Sequence, residues 1–110
     1  MIDSLVLHSP LSDRNATQET GLLTLEVWRA MERLVAAGGV RQLGISNCYD
    51  VDEFVQLYRA AAVKPAVLQN RLYRDTGYDT ALRAFCRENN VRYQSFWTLT
   101  ANPHILARCV

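Results

Sequence analysis

Five side chains of this sequence could do chemistry together: the imidazole of His8, the hydroxyl of Ser46, the amides of Asn47 and Gln69, and the aromatic ring of Phe96. Each stands at the end of a short apolar run. Imidazole, hydroxyl and amide groups donate and accept hydrogen bonds, and an aromatic ring adds a flat apolar face. Grouped at one end of a sheet, they suggest a site. Taken singly, each has a plainer explanation. His8 could satisfy backbone groups at a strand end, Ser46 and Asn47 suit turns and helix caps, and Phe96 could be a core aromatic.

The elements that would position them are legible as alternating periods. Ser4-Leu5-Val6-Leu7 is short, apolar and partly β-branched, and Pro10 stops it, so a buried strand is expected. From Thr24 to Ala37, Val27, Trp28, Met31, Leu34 and Val35 recur at spacings of three and four, which predicts a helix with Glu26, Arg29, Glu32 and Arg33 on its polar side. Gly38-Gly39 should end it. Val40 to Ile45 is a second strand candidate, leading into Ser46-Asn47. Asp50 with Glu53 resembles a capping box for a helix whose stripe is Val51, Phe54, Val55, Tyr58 and Ala62, with Pro65 as its limit. Pro65 to Gln69 is a third strand. After a loop with Gly77, Asp79 is placed to cap a helix from Thr80 to about Asn89, with Leu82, Phe85 and Cys86 inward and Asn89-Asn90 as C-cap. Val91 to Phe96 is the fourth strand, and Asn102-Pro103 opens another helix.

This order, βαβαβαβ, predicts an α/β fold with parallel strands covered by helices. A segment of a (β/α)₈ barrel and a doubly wound sheet both satisfy it. No Gly-rich fingerprint follows any strand, which weakens the dinucleotide-binding version of the latter. In a barrel, function sits at the C-terminal ends of the strands, where the five residues stand.

Composition narrows the class. The chain has 110 residues, 49% hydrophobic and 21% charged, enough for one domain. Twelve basic and eleven acidic residues nearly cancel, and no basic stripe points to nucleic acid or an anionic membrane. No apolar run reaches the roughly 18 residues of a membrane-spanning helix. The first residues carry no basic leader, so a cytoplasmic location is expected. Cys48, Cys86 and Cys109 are odd in number and widely spaced. They read as free thiols rather than disulfides or metal ligands. Asn15-Ala16-Thr17 fits a glycosylation pattern by chance.

Several runs together resemble the aldo-keto reductases. Asp3-Ser4-Leu5-Val6-Leu7-His8-Ser9-Pro10 is similar to the family strand that delivers its histidine. Trp28 to Gly38 resembles the next helix, and Val40 to Asn47 the strand ending in Gly-hydrophobic-Ser-Asn. Lys64 to Gln69 resembles the strand with the cofactor-contacting glutamine, and Leu82 to Asn89 the helix after it. The resemblance spans the chain in order and implies a partial (β/α)₈ TIM barrel, about strand four to strand seven. A complete barrel takes about 250 residues, so residues 1–110 would be one barrel domain truncated at both ends.

The resemblance also implies the chemistry. The family reduces aldehydes and ketones with NADPH, less often NADH. His8 matches its carbonyl-orienting histidine. Ser46, Asn47 and Gln69 match the residues that hydrogen-bond the nicotinamide carboxamide, and Phe96 the aromatic, more often tyrosine, that stacks on its ring. Trp97 and Thr98 depart from the usual Ser-Pro, Cys48 from the common aromatic, and Gln69 to Tyr73 from the commoner Gln-x-Glu-x-His. The family tetrad is Asp, Tyr, Lys and His, and only His8 has a counterpart. A fragment of a carbonyl reductase, inactive alone, is therefore expected. A non-catalytic product that pairs with a partner barrel through its open edges is the alternative, and a lone half-barrel would be expected to expose Val, Leu and Ile.

Overall fold

The computed structural model describes residues 1–11 and 20–108. Residues 12–19, with the Asn15 pattern, and Cys109 lie outside the described residues. The chain forms β1 (Ile2–Leu7), α1 (Thr20–Ala36), β2 (Val40–Ser46), α2 (Val51–Ala60) and β3 (Val67–Arg71). A short 3₁₀ segment (Arg74–Asp79), α3 (Thr80–Glu88), β4 (Arg92–Phe96) and α4 (Pro103–Leu106) follow.

Local chemistry sets most boundaries. Gly38 takes φ +80°, and the Gly38 and Gly39 amides donate to the Val35 and Leu34 carbonyls, each at 3.0 Å. These paired bonds close α1 around a left-handed residue. Asp50 caps α2 by accepting from the Glu53 amide at 3.1 Å, and α2 stops at Ala60, so Ala62 lies outside the stripe expected to hold it. Asn90, at φ 57°, supplies the left-handed turn after α3. Asp79 does not cap α3. It is itself left-handed, at φ 48°, whereas a capping residue is extended, and its carboxylate turns inward instead.

The four strands form one open parallel sheet in the order β1-β2-β3-β4. Crossovers between sequential parallel neighbours are right-handed as a rule, which puts their helices on one face, and residues of α1, α2 and α3 pack into one core with Leu43, Ile45 and Leu68. A doubly wound sheet needs a reversal of strand order to cover both faces, and none occurs, so the arrangement is a barrel arc.

Alternation along the strands then divides the side chains. In the register Leu5↔Leu43, Leu7↔Ile45 and Ile45↔Leu68, one parity faces the helices. Leu43, Ile45 and Leu68 are fully buried there with Trp28, Phe54 and Leu82. The other parity, Ser4, Val6, Gln42, Gly44, Val67, Gln69, Arg92 and Gln94, faces away from the helices. The expected exposure of Val, Leu and Ile on this concave face is therefore mostly not found: Val67 is buried, Val6 is half-buried, and Ile2 at the strand start is the exposed large residue. Polar pairs occupy much of the rest, with the Gln42 amide donating to the Ser4 hydroxyl and Gln69 Nε2 to Gln94 Oε1 at 2.7 Å.

Helix α1 departs from its expected polar face. Glu32 is buried. It accepts from the Val63 amide and pairs with Arg29 at 2.7 Å, while Arg29 donates to the Ala60 carbonyl at 2.8 Å and Trp28 Nε1 to the Val63 carbonyl at 3.0 Å. Burial pushes the Glu32 pKa up, but the Val63 amide and Arg29 outweigh it and hold the carboxyl below its ordinary value. Three polar or amphipathic side chains of α1, Trp28, Arg29 and Glu32, thus pin the segment that feeds β3. Leu34, expected on the apolar face, is 48% exposed.

β3 begins at Val67 rather than Pro65 and runs on to Arg71. Proline has no amide to donate to a ladder, and pairing with β2 starts at Gly44↔Val67. That contact is tight. A Cβ on Gly44 would lie 2.8 Å from the Val67 carbonyl oxygen and 3.1 Å from its Cβ, so only glycine lets β2 and β3 close. Gly44→Ala is expected to lower stability by about 1–3 kcal/mol, the usual cost of overpacking, measurable as a lower urea midpoint with an unchanged slope. Burial, with the nearby Glu53, Asp50 and Asp79 carboxylates, pushes the Cys48 thiol up to about 12 from an ordinary value of 9.0. An unfolded thiol ionises near 9 while the folded one keeps its proton, so stability should fall as pH rises through that window. Urea midpoints of the native chain and Cys48→Ala should converge or cross with rising pH, and a constant difference would contradict the assignment.

Candidate active-site cleft

The C-terminal ends of the strands border one cleft of about 480 Å³, and all five residues singled out in the sequence line it. Strand parity brings them there. His8 follows Ser4 and Val6, Ser46 follows Gln42 and Gly44, Gln69 follows Val67, and Phe96 follows Gln94, all on the concave side. Asn47 comes directly after β2 with φ 55°, a left-handed turn that asparagine tolerates, and this swings its amide over the strand ends.

The cleft floor is cross-linked by its own side chains. Asn47 Nδ2 donates to the His8 carbonyl at 2.8 Å and to Ser46 Oγ at 3.3 Å, tying β1 to β2. The Ser46 hydroxyl donates to the Gln69 carbonyl at 2.7 Å, and the Asn47 amide donates to the same oxygen at 3.0 Å, tying β2 to β3. The Tyr49 hydroxyl accepts from the Arg71 amide at 2.9 Å and donates to Asn47 Oδ1 at 3.2 Å. Burial raises the Tyr49 pKa, although the bond from the Arg71 amide opposes it. The donors of Ser46 and Asn47 are therefore engaged within the protein. What the cleft offers a ligand here is chiefly acceptor oxygens, the Gln69 amide, the His8 ring and the Phe96 face.

A buried polar network holds this floor from behind. Asn70, fully buried, points to the helix side of β3. Its Oδ1 accepts from the Cys48 amide at 3.0 Å, and its Nδ2 donates to the Cys48 carbonyl at 2.8 Å and to Asp79 Oδ2 at 3.0 Å. The Tyr93 hydroxyl donates to the same Asp79 oxygen at 2.6 Å. Burial and this carboxylate together push the Tyr93 pKa far above its ordinary value, so the hydroxyl is a fixed donor. One asparagine thus ties the turn carrying Asn47 to β3, to the segment before α3 and, through Asp79, to β4.

Two further residues line the cleft that the sequence did not single out as site residues, Arg71 and Trp97. Arg71 lies two positions beyond Gln69 on the same strand, so alternation would have placed it on the cleft face had β3 been read to its full length. Trp97, at φ 55° and 60% exposed, stood out only as a departure after Phe96. Asp79 was assigned to capping, and its role behind the cleft had no local signal.

The sequence model of the aldo/keto reductase family matches residues 1–103. The chain is 28% identical over 96 residues to an NADPH-dependent alpha-keto amide reductase of Saccharomyces cerevisiae, covering 86% of this chain and 30% of that protein. It is 49% identical over 45 residues to an NAD(P)H-dependent D-xylose reductase of Candida tenuis, covering 41% and 14% respectively. A solved aldo-keto reductase from a Medee basin deep-sea metagenome superposes with a TM-score of 0.73 at 23% identity, covering 93% of this chain and 34% of that one. The four-stranded arc is thus the fold of part of an aldo-keto reductase barrel, and the chain belongs to the aldo/keto reductase family. It spans about a third or less of these relatives' length.

Asn70→Leu would leave the Cys48 amide and carbonyl unpaired and Asp79 short of a donor. Unmade buried hydrogen bonds cost about 1–3 kcal/mol each, so the native chain should lose a large part of its stability, read from urea denaturation. Tyr93→Phe removes one donor from Asp79 and should cost less.

Proposed function

We propose that this chain is the part of an NAD(P)H-dependent carbonyl reductase that holds the nicotinamide and the substrate carbonyl. The observation that carries the reading is the convergence of His8, Ser46, Asn47, Gln69 and Phe96 on one cleft at the C-terminal ends of four parallel strands. Residues 1–110 are then one incomplete barrel domain of an enzyme that reduces small aldehydes or ketones to alcohols. The relatives named for NADPH or NAD(P)H support the same cofactor class.

The residues present fit such a cofactor. A nicotinamide is flat, aromatic and carries a primary amide. Phe96 supplies a π-face for stacking, and Gln69 Oε1 and Asn47 Oδ1 supply acceptors for an amide N–H. Bound there, the reduced nicotinamide would supply the hydride. The protein's share is to fix the ring face through Ser46, Asn47 and Gln69. His8, at the exposed rim of the cleft, orients the carbonyl and donates a hydrogen bond as negative charge develops on its oxygen. Among the described residues, no tyrosine, lysine or aspartate lines the cleft, so these residues provide no general acid of the family type.

Titration of the native chain with NADPH should give energy transfer from Trp97, which lines the same cleft, to the bound nicotinamide. Gln69→Ala and Phe96→Ala should weaken that signal by about tenfold, the effect of losing roughly 1.4 kcal/mol of contact. Signals in both variants equal to that of the native chain would refute the assignment. The 110 residues expressed alone should show no NADPH oxidation dependent on an aromatic aldehyde, and turnover would refute the stated division of labour.

A further inference from the structure

We infer that Arg71 makes the cleft an oxyanion-binding site, selective for a ligand that carries a carboxylate or phosphate. Arg71 ends β3 directly opposite Phe96 on β4. Its guanidinium carbon lies 4.4 Å from the centroid of the Trp97 ring and 5.2 Å from that of Tyr73. Contact with two rings holds a cation in place and removes water from it. What stays available is the edge of the guanidinium, where its N–H donors lie in the plane that carboxylates and phosphates recognise.

The guanidinium is also not fully satisfied within the protein. Arg71 Nε is buried and has no hydrogen-bond partner. Among the described residues, the ion pairs are Arg29–Glu32 and Arg41–Asp3, and neither involves Arg71. The cleft is lined by His8, Ser46, Asn47, Gln69, Phe96 and Trp97 beside it, and among the described residues no carboxylate there neutralises the charge. A buried donor is ordinarily paired, and an arginine fixed over a cleft of neutral groups presents a field that attracts anions. The Trp97 backbone, at φ 55°, adopts an uncommon conformation for a bulky residue, and this conformation accompanies the ring's placement against Arg71.

The inference concerns the same cleft as the proposed reductase but does not require a nicotinamide. The oxyanion could be the acid group of the carbonyl substrate or the diphosphate of the cofactor. Trp97 provides the reporter, because Trp28 is fully buried in the core. Titrating the native chain with inorganic phosphate at constant ionic strength should give a saturable change in Trp97 emission in the millimolar range, weakening as salt rises. Arg71→Lys keeps the charge without the planar fork and should bind about tenfold more weakly, and Arg71→Met should not bind. As a second readout, phosphate NMR line broadening should persist in Trp97→Phe, which preserves a ring against the guanidinium. Competition by pyruvate but not ADP-ribose assigns the anion to the substrate, and the reverse assigns it to the cofactor. Gln69→Ala should retain phosphate binding even as its NADPH binding weakens, so failure of one reading does not bring down the other. Absence of saturation by phosphate in the native chain, or unchanged affinity in folded Arg71→Met, would overturn the inference.

Discussion

In a parallel sheet whose neighbours follow chain order, each strand must send alternate side chains to helices that all lie on one side. That constraint governs everything else in this molecule. It takes Leu43, Ile45, Leu68 and Asn70 to the helices, and Gly44, Ser46, Gln69, Arg71 and Phe96 to the opposite face. A slip of one residue on any strand would exchange the two sets. The cleft exists because three registers agree, and at Gly44 β2 and β3 approach closely enough to leave no room for a Cβ.

The helix side of the sheet contains more than apolar packing. Asn70 is fully buried, with its side-chain amide making three hydrogen bonds, two to the Cys48 backbone and one to Asp79. Low dielectric makes such a network costly when incomplete and rigid when complete. Here it is complete at Asn70, and it fixes the turn that carries Asn47. The clamp of Trp28, Arg29 and Glu32 on the loop after α2 does the same for the entrance to β3. The strand ends are thus held from behind by polar bonds as well as by packing.

Those bonds shape the chemistry in front. Ser46 and Asn47 spend their donors on neighbouring backbone carbonyls, which positions the strand ends and leaves acceptors toward the cleft. Arg71 is the exception, a cation held by rings with its Nε unpaired. On the proposed reading, a cleft with amide acceptors, an aromatic face and one fixed positive charge would suit a planar amide carrying or accompanied by an anion.

Much of this was legible in the residue order. Periods of three to four and of two mark the helices and strands, Gly38 and Asp50 mark their ends, and strand-end position alone groups His8, Ser46, Asn47, Gln69 and Phe96. These signals are local, or repeat along one element, and so survive in sequence. What only the tertiary structure decided is long-range. Glu32 reads as a surface residue until Val63, 31 positions away, supplies its amide. Asp79 reads as a helix cap until its backbone turns left-handed and its carboxylate meets Asn70 and Tyr93. Arg71 reads as loop until β4 pairs with it and Trp97 covers its guanidinium. In each case the partner comes from another element, and a polar side chain's role is set by the partner it meets, which spacing along the chain does not encode.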